Sequence, residues 1–118
     1  MRPPRLDAVP GAGQSSGVTD AQLARIAKAL ADGRRFAILE MVAAADGELA
    51  CKRLVATFPV SQATISHHLK ELATAGLIDV RREAQQAFIR YRSDTMAAYL
   101  AAVGRRLPGR RARVRRGR

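Results

Sequence analysis

Gln62, Ser66, His67 and Lys70 put an amide, a hydroxyl, an imidazole and an ammonium within nine residues. At helical spacing they share one face with the small Ala63. That set suits hydrogen bonding and charge pairing more than bond making. A glutamine can bond adenine N6 and N7 with both ends of its amide, worth ~1–3 kcal/mol of discrimination, and an alanine can meet a thymine methyl. Gln62 and His67 are therefore the expected readers of base edges, with Ala63 beside them. Ser61, Thr64, Ser66 and Lys70 suit phosphates, which set register without specifying sequence. Catalysis has little support, because Ser66 and His67 are chain neighbours and no third group orients the histidine. Nor do His67 and His68 make a chelate, since adjacent helical residues point about 100° apart. His68 flanks an apolar stripe and is expected to pack at a helix junction, leaving His67 outward.

The element that must carry this face runs from Ser61 to Ala75. Ile65, Leu69 and Leu72 form its apolar stripe. Ser61 can cap the first turn, and Gly76 can end the helix in a left-handed conformation. A second helical pattern, Glu48 to Thr57, precedes it across Phe58-Pro59-Val60. Two helices joined by so short a turn make a helix-turn-helix, whose second helix enters the DNA major groove. In the upstream helix Cys51, Leu54, Val55 and Phe58 recur at helical spacing, so Cys51 is expected to point inward with Leu54. It is read as a small core residue, with a thiol switch as the alternative because Lys52 and Arg53 adjoin it.

Beyond Gly76 the period becomes two. Leu77 to Glu83 and Ala87 to Arg92 read as strands joined by Ala84-Gln85-Gln86, a two-stranded wing. Its Arg81, Arg82, Arg90 and Arg92 are candidate phosphate or minor-groove contacts. Upstream, Thr19 and Gln22 fit a capping box before the stripe Leu23, Ile26, Ala27 and Leu30. Asp32 ends this helix and is expected to cap the next, in which Phe36, Leu39 and Val42 share a face. A last helix starts near Ser93 or Asp94 and carries Met96, Tyr99, Leu100, Val103 and Leu107, stopping at Pro108-Gly109.

These elements define an expected domain over residues 19–107, between a Pro-, Gly- and Ser-rich leader (1–18) and an Arg-rich tail (108–118), both expected to be disordered. The formal charge is +11, yet residues 1–104 carry thirteen bases against ten acids. Most of the basicity thus lies near the C-terminal end, where it favours non-specific, salt-sensitive DNA attraction. A single cysteine excludes an intramolecular disulfide and fits a reducing cytoplasm. No apolar run approaches the ~20 residues of a membrane span, and no cofactor motif is legible.

The stretches Ala29 to Val42, Gly47 to Leu54, Val60 to Ile78 and Asp79 to Arg92 resemble the ArsR family of bacterial winged-helix repressors. The most specific is Ser61 to Ile78, which follows the pattern S-x-x-T-[IV]-S-x-H-L-x-x-L-x-x-A-G-L. The resemblance implies a mainly α fold of five to six helices plus the wing, a homodimer, operator binding without ligand, and release by an inducer. An ordered domain of this size gains from pairing its first and last helices with a second copy. That pairing would also set two recognition helices ~34 Å apart on a palindrome.

The family's metal patterns are not matched. Its thiol positions fall on Ala50 and Lys52, with Cys51 between them, and the last-helix Asp-x-His pattern reads Asp94-Thr95-Met96. One cysteine cannot build a soft-metal site of three or four ligands. The inducer classes left are a small organic ligand, a thiol oxidant, a partner protein, or none. The expected function is sequence-specific transcriptional repression, and the alternative is a basic architectural protein that coats DNA through its tail.

Overall fold

The structure, a computed structural model, describes residues 17–109, and residues 1–16 and 110–118 lie outside the described part. The expectations for most of the leader and most of the Arg-rich tail therefore fall outside it too. The chain divides into a unit over Thr19–Met96 and a second unit that takes in the last helix from Ala97. The fold of the first unit positions the candidate site.

Helix α1 (Asp20–Leu30) opens where the Thr19 hydroxyl accepts the Gln22 amide at 3.0 Å. Helix α2 (Gly33–Ala44) opens likewise, the Asp32 carboxylate accepting the Arg35 amide at 2.9 Å. Each cap satisfies one of the orphan amides of a first turn. Ile26 of α1 and Ile38 and Val42 of α2 are fully buried. Phe36, expected on that same face, is instead 44% exposed. The buried side of α2 is centred on Ile38, Leu39 and Val42, which leaves Phe36 more than a quarter-turn away, on the flank.

Residues expected to begin the third helix form a strand. Strand β1 (Glu48–Ala50) follows Gly47, whose φ of +89° suits a residue without a Cβ, and helix α3 (Cys51–Thr57) begins only afterwards. Helix α4 (Gln62–Thr74) is capped by Ser61, whose hydroxyl accepts the Thr64 amide at 3.1 Å. It ends in a Schellman motif, with Leu77 N–H donating to the Leu72 carbonyl and Gly76 N–H to that of Ala73, both at 3.0 Å. Gly76 takes φ +82° there, as the motif requires.

Strands β2 (Ile78–Glu83) and β3 (Gln86–Tyr91) form the hairpin, and β1 joins it to give a three-stranded antiparallel sheet in the order β1-β3-β2. The expected two-stranded wing thus has a third, short strand. The reason is tertiary: Leu49 lies opposite Ile89 in register and faces the core with it, so three residues gain both a ladder and a buried side chain. The hairpin connection is two residues, because Gln86 pairs with Glu83 in place of lying in the turn. Ala84 consequently takes φ +58°, a left-handed position for a residue with a Cβ.

Leu54, Ile65, Leu72, Leu77, Ile78 and Ile89 join Ile26, Ile38 and Val42 as fully buried side chains. Burial of each such side chain is worth ~1.5–3 kcal/mol, so α4 and the sheet are held through one shared core. Helix α5 (Ser93–Arg106) closes the described chain. No helix among the described residues is long and apolar enough to cross a membrane.

Candidate nucleic-acid interface

Burial sorts the residues of α4 cleanly. Ile65, His68, Leu69 and Leu72 are buried, while Gln62, Ala63, Ser66, His67 and Lys70 are exposed along the opposite side. The apolar stripe is what sets this orientation, because only one rotation of the helix hides all three aliphatic residues. The structure thus brings five of the expected contact residues onto one open surface. Ser61 and Thr64 are differently placed. Ser61 Oγ holds the cap and also donates to Thr64 Oγ1 at 3.0 Å, and Thr64 is half-buried. Both hydroxyls already serve the start of the helix.

His68 is 7% exposed at the junction of α1, α2 and α4, as its place beside the apolar stripe implies. The Arg35 side chain reaches it, Nε donating to His68 Nδ1 at 3.3 Å, while Nη1 lies 3.4 Å from the Ala29 carbonyl at the end of α1. Burial drives the His68 pKa below that of a free histidine. Asp32 opposes the shift, and Arg35 adds to it. The imidazole is therefore held neutral, which suits an acceptor for Arg35.

The four wing arginines separate into two groups. On the outer face of the sheet, Arg81 makes two hydrogen bonds to the Glu48 carboxylate, at 2.9 and 2.8 Å, and a third to Glu83 at 2.7 Å. Arg90 pairs with Asp79 at 2.8 Å, and Arg92 with Asp94 at 2.9 Å and Asp79 at 3.3 Å. The Arg92 guanidinium brings the Asp94 carboxyl down to about 2. Arg82 points to the other face, because it alternates with Arg81 along β2 and lies opposite Ala87 in register. It makes no ion pair with another described residue. Arg82, unlike its three neighbours, is a wing cation on the side of α3 and α4.

Between α3, α4 and the wing lies an open cleft of about 1110 Å3, whose walls include Gln62, Ser66, Lys70 and Arg82. Lys52 and Gln85 also line it. Neither belonged to the expected site, and no local pattern marks them, since α3 and the hairpin tip meet α4 only in the folded chain. Cys51 sits here as well, half-exposed in place of the inward position its spacing suggested. As the first residue of α3 it stands at the rim, one turn ahead of the buried Leu54. Burial pushes its thiol above the ordinary value despite the pull of Arg82, which disfavours the reactive thiolate. No group of three or more His, Cys, Asp or Glu residues that could hold a metal gathers among the described residues.

Residues 30–81 match the model of a helix-turn-helix domain family. An HTH-type transcriptional regulator of Mycobacterium tuberculosis is 35% identical over 82 residues, covering 70% of this chain and 35% of that protein. The chain thus spans about a third of that relative's length. The transcriptional activator HlyU of Vibrio cholerae is 36% identical over 78 residues, covering 66% of this chain and 70% of its own. Among solved structures, a homodimeric winged helix-turn-helix DNA-binding domain from Mycobacterium bovis, a possible ArsR-family regulator, superposes with a TM-score of 0.59 at 28% identity. That match covers 83% of this chain and 97% of the other.

Proposed function

Since the chain belongs to the ArsR family of winged helix-turn-helix transcription regulators, we propose that it binds a palindromic operator as a homodimer and represses by covering the promoter. The observation that carries this reading is the exposed row Gln62, Ala63, Ser66, His67 and Lys70 on α4, with Arg82 of the wing beside it. Gln62 and His67 read base edges, and Ala63 meets a thymine methyl. Ser66, Lys70 and Arg82 hold phosphates, which fixes the register of the helix in the groove. Ser61 and Thr64 act through the cap, holding the first turn of α4 in the shape that presents Gln62. Arg81, Arg90 and Arg92 add little to this contact set because each already faces carboxylates.

The homodimer of the M. bovis relative supports pairing of two copies here, and the apolar stripes of the first and last helices are the proposed pairing surfaces. A two-fold axis sets the two α4 helices about one DNA turn, ~34 Å, apart. Such a regulator works where the chromosome is, in the cytoplasm.

Fluorescence anisotropy at physiological salt tests the proposal, comparing the duplex immediately upstream of the gene with a scrambled duplex of equal length. A preference of ~10³ or more is expected for a specific regulator. Equal affinity for the two duplexes overturns it in favour of an architectural protein that coats DNA through basic residues. HlyU is named an activator, so the sign of regulation needs its own readout. Run-off transcription from the bound promoter should fall, and a rise overturns repression while leaving the operator in place.

A further inference from the structure

The cleft between α3, α4 and the wing is asymmetric in charge. Lys52, Lys70 and Arg82 line it, and no Asp or Glu among the described residues does. None of the three makes a hydrogen bond or ion pair with another described side chain, although the outer face of the same sheet pairs its three arginines with acids. The same walls carry apolar side chains, with Val55 of α3, Leu69 of α4 and Val80 of β2. A DNA backbone needs the cations but has no use for those apolar side chains. Cations and apolar side chains lining one cleft fit a carboxylate carrying a hydrocarbon or aromatic body, with the head paired to Arg82 and the body against the apolar wall. The volume is just above the ~300–1,000 Å3 typical of small-molecule sites.

We propose that this cleft binds a small organic carboxylate with an apolar body, and that an occupied cleft excludes DNA. The exclusion follows from shared residues, because Gln62, Ser66, Lys70 and Arg82 face both the cleft and the DNA assigned to them above. That half of the proposal rests on the DNA-binding reading, whereas the binding half stands apart from it. Differential affinity is all such an effector needs, since a ligand that binds only the DNA-free form shifts the equilibrium toward it.

Cys51, the sole cysteine of the chain, lies in the cleft and reports its occupancy. The test measures alkylation of the full chain by N-ethylmaleimide, with octanoate as the probe and 1-octanol as its uncharged control. At octanoate tenfold above its dissociation constant, alkylation should slow about tenfold, because only the empty fraction reacts. Octanol should protect little, and in the Lys52→Gln/Arg82→Gln double variant octanoate should lose its effect. Both positions are exposed, and an unchanged circular dichroism spectrum establishes that the variant is folded. An unaltered rate with octanoate, or equal protection by octanol, or full protection in the double variant, overturns the site. In a second arm, octanoate should release a bound duplex, read by anisotropy. Protection of Cys51 without release overturns the exclusion. Failure of any duplex to bind, with Cys51 still protected by octanoate, overturns the DNA-binding reading and leaves the carboxylate site standing.

Discussion

The Arg81 guanidinium crosses the central strand of the sheet to reach Glu48 on the far strand, with hydrogen bonds of 2.9 and 2.8 Å to its two carboxylate oxygens. It passes over the Phe88 ring at 4.7 Å on the way, a cation–π contact that adds to the pairing. A strand of three residues is thereby tied to the wing by more than its ladder. The same contact gives a carboxylate partner to a cation that the sequence offered to DNA.

The salt dependence of binding should separate the wing arginines. Arg82→Gln is expected to flatten the slope of log K against log salt by about one, as loss of one phosphate contact does. Arg81→Gln and Arg90→Gln should each change it by much less. Equal slopes for all three variants would mean that the ion pairs on the outer face open when DNA binds.

Gln62→Ala should weaken operator binding by ~1–3 kcal/mol while leaving affinity for random duplex almost unchanged. Competition anisotropy with both duplexes reads the two numbers together. Equal losses on both would make Gln62 a backbone contact.

Gly76→Ala should destabilise the domain by about 1–2 kcal/mol, because φ +82° brings a Cβ against the following carbonyl. A Cβ there meets no atom closer than 3.7 Å, so the cost is conformational and not a clash. Denaturant midpoints with an unchanged m-value would measure it. Wild-type stability in this variant would contradict the left-handed end of α4.

Ala84→Gly is expected to act in the opposite direction, stabilising by up to about 1 kcal/mol, since Ala84 occupies φ +58° in the hairpin turn. The greater entropy of glycine in the unfolded chain offsets part of the gain. Destabilisation in the same unfolding assay would count against the two-residue turn.

Stability should fall as pH drops through the histidine range. His68 is held below its ordinary 6.5 in the folded state, chiefly by burial. The unfolded chain therefore binds the extra proton first, and stability is lost from 6.5 down to the folded value, then levels off. The lowered carboxyls of Asp32, Glu48 and Asp94 act in a lower window, their contribution being lost only as pH falls below the ordinary carboxylate values. His68→Gln should remove the first decline and keep the second. Persistence of the first decline would assign it to another group.

Within the first unit, much of what depends on neighbours four or five residues away was legible in the sequence, although the hairpin turn proved one residue shorter than its pattern and Cys51 less buried than its spacing suggested. The Thr19, Asp32 and Ser61 caps, the Gly76 stop, and the exposed row on α4 are of this kind, because helix periodicity and capping are short-range physics. Even the burial of His68 followed from its place beside Leu69 and Leu72. The tertiary structure alone decided what the long-range pairs do. Glu48–Ala50 became a strand because β3 offered it a ladder, and Phe36 was left on a flank because Ile38 and Val42 claimed the core. Arg81 and Glu48, like Arg35 and His68, are 33 residues apart in the chain. No local pattern encodes such partners, since which carboxylate meets which arginine depends on strand order and on the face each residue takes. The pairing of the wing arginines, and the gathering of three cations in the cleft, emerged only when the sheet was assembled.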